Sequence, residues 1–499
     1  MTKENYPSLL EWESFDFPIT VDNVTSGRKF YRIPESSRVT IARDNQYKLV
    51  GSMEGFTEDH QAFEYREEGR ELTDGSIIKG DTLIGETSPL GQIYHLHHCY
   101  ITNARFGQLF QGRPSTRFEA TLDFSSFVET LTDKPAAKKM CWYLTGKINQ
   151  IFPRSTRRTN DGVSTKLRDG VDKEASRIVY SKQHGFSRDF FLVDSGQVKC
   201  IVQKVPVEFL PTWSHGISIE YREEFGIPEE NVQTAVAEII GFITGTQLLE
   251  IGYTEYDHRG YAIRKLSKDP WGNNIISKCA KLALPPIEFP KQANSNKLEE
   301  VVNEVLPGYL SLRNSLQLSD VLWKYWIARD LAIGTNLPIL SSALESLAEN
   351  YLQHNNILKS FSKKEKSDIT ELLKNDVESI DRKLIRSPFK DRVLNFLRNP
   401  FQIGVAEKQR LFFKALGFAF TPTSLEAKAL RSRNVMTHSN IEVNEKTIPE
   451  HIKLTRAYET LFHRTFLKVL GFTGKYVDYA TNGHPQRLLS ENIEGDATK

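Results

Sequence analysis

From the start of the chain to about residue 270 the pattern of apolar and polar residues is mostly that of β-strands, with a period near two. Segments such as GRKFYRI, SRVTIAR, DTLIGE, GQIYHLHHCYI, RFEATLDF and MCWYLTG are short, aromatic and β-branched, with turn residues between them. Each reads as a strand. In DFFLVDSGQVKCIVQKV two such runs flank Asp194, Ser195 and Gly196, which predicts a hairpin. Strands at this frequency predict a sandwich-like or barrel-like sheet. One helix interrupts them. After Pro228 and two glutamates, Val232, Val236, Ile239, Ile240 and Ile243 recur at helical spacing. Extended sequence then returns in QLLEIGYTEYDHRGYAIRKL.

The period changes after LPPIEFPKQANSN, whose three prolines and polar end continue neither helix nor sheet. A helix follows Asp320 in VLWKYWIARDLAI, and Leu340, Leu344, Leu347 and Tyr351 share one face of a second. Further helices are expected at 366–380, 390–398, 405–416 and 424–437. In AYETLFHRTFLKVL, Tyr458, Leu461, Phe462, Phe466 and Val469 form a stripe that Gly471 closes. The expected architecture is α+β and multidomain. It has a β-rich, sandwich-like region over 1–283, a linker over 284–304, an all-α helical bundle over 305–480 and a polar tail over 481–499.

Composition narrows the class. At 499 residues the chain exceeds what one core supports. A formal charge of +2 means that any basic surface is local rather than global. Cys99, Cys141, Cys200 and Cys279 show no CxxC spacing, which argues against a disulfide framework or a zinc knuckle. The opening MTKENYPSLLEWES lacks the apolar stretch of a secretory signal. No run approaches the ~20 apolar residues of a membrane span. A cytoplasmic protein with no membrane partner is expected.

The segment TPTSLEAKALRSRNVMTHSN carries the candidate chemistry. Thr423 and Glu426 have capping-box spacing, so a helix should begin at Ser424 and fray near 437–440. Asn434 and His438, four apart, should then face the same way. Cleaving RNA without a metal needs a base for the 2′-hydroxyl proton and an acid for the leaving 5′-oxygen, and histidine suits both roles. Arg433 supplies a fixed positive fork for the charge that builds on phosphate. Asn434 can orient the imidazole. Spacing alone selects nothing, because Arg177/His184, Arg431/His438 and Arg456/His463 are equally near neighbours. Asn434 directly after Arg433 sets that pair apart, while Arg431, two turns before His438, remains its rival.

Arg433, Asn434 and His438 late in a helical region resemble the ribonuclease motif of HEPN domains. The helices over roughly 305–475, with Ser342-Ala343-Leu344-Glu345-Ser346-Leu347, are similar to the Apea-like branch. Gly85, Glu86, Gly91 and the 241–245 segment resemble the β-rich region that precedes it in ApeA-type defence proteins. The resemblance implies a metal-independent endoribonuclease without cofactor, with RNA as substrate. It implies a homodimer through the C-terminal domain, with two motifs across one interface. It further implies antiphage defence, in which cellular RNA is cut once a phage-derived trigger reaches the N-terminal region. Arg431 and Glu345 are possible supporting residues, and Arg154, Arg157, Arg158 and Lys428 possible RNA contacts.

Plainer readings stand beside these. Arg433 and His438 could serve the helix C-terminus, where the macrodipole favours cations. Glu345 could be an exposed or capping residue, and Arg154–Arg168 a solvated basic loop. His95, His97 and Cys99 would share one strand face, yet no further ligand group is evident, so a plain strand is the expectation. The competing function is a catalytically inactive HEPN dimerisation or binding module. A carbohydrate-acting enzyme lacks a convincing carboxylate pair in the sequence.

Overall fold

In the computed structural model the first six strands close into a ring. The structure describes the chain except residues 1–18, 28–30, 32, 35–36, 58–79, 88–91, 108–115, 149–151, 162–163, 170–173, 178–184, 206–209, 271–273, 290–295, 333–334, 359–363, 365–366, 370, 372–402, 419–423, 439–446 and 492–499. For 155–161, 164–169, 174–177, 185–188 and 433–438 it describes the backbone alone.

The ring comprises β1 (Ile19–Ser26), β2 (Arg38–Arg43), β3 (Leu49–Thr57), β4 (Asp81–Thr87), β5 (Gln92–Phe106) and β6 (Thr116–Asp123). They pair antiparallel in the order β5-β4-β1-β2-β3-β6, and β6 returns to β5. The alternation explains the closure. In β6 Phe118, Ala120 and Leu122 point inward and Arg117, Glu119 and Thr121 outward, and β3 does the same with Met53 between Ser52 and Glu54. A closed barrel satisfies every strand and leaves no edge. At Gly85 a Cβ would meet Val21 Cγ1 at 2.4 Å, so the approach of β4 to β1 requires glycine. Of the sandwich-like and barrel-like arrangements expected, the pairing gives the barrel-like one, with the inward apolar faces gathered around one core.

The sheet leaves the barrel where β5 also pairs with β7 (Ser126–Thr130). It runs on through β8 (Lys138–Thr145), β9 (Arg154–Asp161), β10 (Ser164–Asp169), β11 (Glu174–Arg177), β12 (Gly185–Asp194), β13 (Lys199–Val205), β14 (His215–Arg222), β15 (Leu249–Tyr256) and β16 (Ala262–Lys268). The order is β7-β16-β15-β8-β14-β13-β12-β9-β10-β11, again antiparallel. β8 is buried along both faces, which is why its sequence does not alternate. Met140, Trp142 and Leu144 cluster with Ile275 and Cys279 of α2 (Ile275–Ala280). On the other face Cys141 Sγ lies 3.5 Å from Gln233 Oε1 of α1 (Glu230–Thr244). Gly245 ends α1 at φ +73°. A Cβ there would lie 2.2 Å from the Pro285 nitrogen.

The chain divides into two compact units, 1–285 with 289–307, and 286–288 with 308–499. The division falls inside α3 (Lys297–Leu312), which begins within the segment expected to be a linker. The second unit is mostly helical: α4 (Leu318–Asp330), α5 (Leu337–His354), α6 (Val405–Ala415), α7 (Leu425–His438) and α8 (Ile448–Val469). Leu340, Leu344 and Leu347 of α5 form the buried stripe that their spacing predicts. Tyr325 of α4 stacks on Phe462 of α8, with centroids 4.7 Å apart and rings 6° from parallel. The helices expected at 366–380 and 390–398 lie largely outside the described residues. Among the described residues no helix is long and apolar enough to cross a membrane.

Two expectations for the end of the chain change. The second unit is not all-α, because β17 (Lys475–Val477) and β18 (Gln486–Leu488) form a hairpin. The segment expected as a polar tail from 481 packs as far as Glu491, whose carbonyl accepts the Tyr476 hydroxyl at 3.0 Å. Tyr476 and Asp478 are fully buried, and Asp478 is held by Arg487 at 2.8 Å. Polar composition concealed this because the Asp478–Arg487 ion pair and the Tyr476 hydrogen bond fasten the segment, with Leu489 its buried apolar residue.

Candidate functional site

Helix α7 carries the motif. Its cap is Ser424, whose Oγ accepts the Ala427 N–H at 3.1 Å. Thr423, the expected capping residue, lies outside the described residues. The Thr423–Glu426 capping box therefore lies outside the described residues as well. Glu426 is fully buried, and Arg464 Nη1 of α8, also fully buried, donates to its Oε1 at 2.5 Å. Arg464 Nε donates to the Leu489 carbonyl at 2.7 Å, and its guanidinium lies 4.0 Å from the Phe418 ring centroid. One arginine thus ties the first turn of α7 to the middle of α8 and to the segment after β18. α7 also packs against α5.

The helix runs unbroken through positions 433, 434 and 438, whose side chains lie outside the described residues. An α-helix advances about 100° per residue. Positions 426, 429 and 433 therefore fall on one stripe, and Glu426 and Ala429 are both fully buried. Positions 431, 434 and 438 fall on another. Arg431 is exposed there, and its Nε donates to the Ala427 carbonyl at 3.2 Å. The helix thus brings 434 and 438 one turn apart, as expected, and sets Arg431 on their stripe. Lys428 is exposed. On α5, Glu345 Oε1 accepts Ser341 Oγ at 2.7 Å, and Ser341 Oγ in turn accepts Tyr458 OH of α8 at 3.2 Å. Glu345 is thereby fixed by an internal relay, and its side chain is half-buried.

The other candidates separate. The expected basic loop at 154–168 is the antiparallel pair β9–β10. Arg154 grips Glu299 with Nε and Nη2, both at 3.0 Å, and Glu299 also accepts the Leu192 N–H at 2.9 Å. That arginine is a tie between β9 and α3 and not a free phosphate contact. Arg157 and Arg158 lie on β9 with side chains outside the described residues. His95, His97 and Cys99 do not share a face. His98 adopts φ +55°, and the register against β4 slips there by one residue. This bulge turns Cys99 into the barrel core while His95 and His97 stay on the other side. Among the described residues no three His, Cys, Asp or Glu groups could hold a metal ion.

The rival pair Arg456/His463 belongs to the core. His463 is fully buried, its Nε2 lies 2.7 Å from Tyr325 OH, and Arg456 is occupied by Glu459 at 2.8 Å. Burial first, and then the charges of Arg329 and Arg456, push the His463 pKa down to about 3. Unfolded, a histidine takes up its proton near about pH 6.5. The stability that neutral His463 contributes is therefore complete above that pH. It falls by about 1.4 kcal/mol per pH unit as the pH drops toward the folded value. His463→Gln should flatten this part of the acid limb, measured by urea unfolding between about pH 7 and about pH 4. An unchanged slope would refute the assignment.

Gly85, Gly241 and Gly245 each have a packing or conformational reason: a Cβ would meet Val21, the Thr246 carbonyl and Pro285 respectively. Glu86 accepts Asn23 Nδ2 at 3.3 Å, and Gly91 lies outside the described residues. Sequence reasoning missed Arg464 because a charged residue inside an apolar stripe reads as solvent-facing. The signal was its place between Leu461, Phe462 and Phe466, which admits no exposed orientation. None of the protein-family models, curated proteins or solved structures compared with this chain matches it.

Proposed function

We propose that the chain is a metal-independent endoribonuclease of HEPN type, acting in antiphage defence by cutting cellular RNA once activated. The observation that carries the reading is α7 itself. One unbroken, internally anchored helix sets Asn434 and His438 a turn apart near its C-terminal end, where the macrodipole favours an imidazolium. His438 takes the 2′-hydroxyl proton or protonates the 5′-oxygen, and an arginine of α7 holds the charge on the phosphorus-bound oxygens. The attacking 2′-oxygen forms the new P–O bond as the bond to the 5′-oxygen breaks, leaving a 2′,3′-cyclic phosphate and a 5′-hydroxyl. Each chain supplies one such histidine, and a homodimer through the second unit supplies two. The first unit is the place for a phage-derived trigger.

The test is total RNA incubated with the purified full-length chain in EDTA. Cleavage should persist and leave 2′,3′-cyclic or 3′-phosphate ends, because the chemistry needs no cation. Strict Mg²⁺ dependence with 5′-phosphate ends would assign another nuclease class. Absence of cleavage in the presence of the trigger would favour the inactive dimerisation or binding module.

A further inference from the structure

The outer face of the barrel carries a groove that the nuclease reading does not use. Two adjoining cavities, of about 690 Å³ and about 600 Å³, share Glu54 on β3. Both lie in the range of small-ligand sites, roughly 300–1,000 Å³. Strand register builds the floor in rows. Thr40, Ser52, Thr121 and Thr102 stand in line across β2, β3, β6 and β5, and beside them stand Arg38, Glu54, Glu119 and Arg105. Arg117 Nη2 bridges the facing carboxylates, 3.1 Å from Glu54 and 3.1 Å from Glu119. Arg38 Nε reaches Asp22 at 2.7 Å. Phe56 stands at the wall with 55% of its surface exposed.

We infer that this groove binds a neutral oligosaccharide. Three arginines and three carboxylates cancel in charge, so a polyanion such as RNA gains no net attraction there. What remains is a dense array of alternating donors and acceptors held in place by ion pairs. Vicinal diols, each hydroxyl both donor and acceptor, match such an array. The exposed Phe56 ring offers an apolar platform for the C–H face of a pyranose. A peptide fits less well. Strand addition needs an open sheet edge, whereas among the described residues the groove's floor is built from strands paired to one another, and an amphipathic helix needs an apolar groove. The site is independent of α7 and of the nuclease reading.

The experiment is titration calorimetry of the full-length chain with maltotriose, cellotriose and triacetylchitotriose, with sialyllactose as the acidic comparator. At least one neutral trisaccharide should bind saturably with Kd below about 1 mM. Phe56→Ala and Glu54→Gln should each weaken it about tenfold or more while leaving the melting temperature in place, since both side chains are exposed. Three outcomes would overturn the inference: no neutral trisaccharide binding, tighter binding of sialyllactose, or full affinity in both variants.

Discussion

His438→Ala is expected to lower RNA cleavage by at least about a hundredfold while leaving the thermal transition unchanged, since loss of a proton-transfer group costs about 10²–10⁴. The position ends α7, about three turns from the buried anchor at Glu426. The arginine partner is the sharper question. Arg433→Ala should also abolish cleavage if position 433 holds the phosphate, whereas selective loss in Arg431→Ala would transfer that role to the exposed arginine on the stripe of 434 and 438. Mixing His438→Ala protein with the parent adds a readout for the two-protomer site, because a cleft that needs both histidines makes every mixed dimer inactive and lowers activity below the parent's own share. Cleavage equal to that of the parent in the histidine variant would end the nuclease assignment at this helix. Sedimentation across a concentration series decides whether the active species is a dimer.

Arg464→Ala should destabilise the second unit by about 3–5 kcal/mol, because it leaves the Glu426 carboxylate buried without its arginine. For a unit of this size that corresponds to a fall in melting temperature on the order of 10 °C. Three separate ties are lost: the 2.5 Å ion pair, the bond to the Leu489 carbonyl and the contact over Phe418. Replacing both charges together, as Glu426→Leu with Arg464→Met, should recover most of the stability, since an apolar pair of similar volume avoids the desolvation cost. A loss below about 1 kcal/mol in Arg464→Ala would mean that the pair is not the anchor of α7.

Local order was largely legible in the chain. The helix over ENVQTAVAEIIGFIT, the hairpin around Ser195, the stripe of Leu340, Leu344 and Leu347, and the helix start at Ser424 follow from periodicity and from cap and turn chemistry. Those signals act over a few residues, where side-chain spacing and backbone satisfaction are decided together. The His95–Cys99 reading shows where the logic stops. A strict period of two puts the three residues on one face, and a single left-handed residue at His98 reverses the phase after it.

By itself the sequence determined many of the strands and helices, though not the β9–β10 pair, the β17–β18 hairpin or the start of α3, together with the change of texture near residue 290 and the residue types gathered on α7. Tertiary structure alone decided that β6 returns to β5 and closes a barrel, that Glu54 and Glu119 face one another, and that Arg464 and Glu426 meet in the interior. The physical reason is common to all three. Each joins residues far apart in the chain, so its free energy depends on which surfaces are buried together. No local pattern encodes that choice. A buried charge reads as an exposed one until its partner is in place, and an outward carboxylate is unremarkable until strand register sets another beside it.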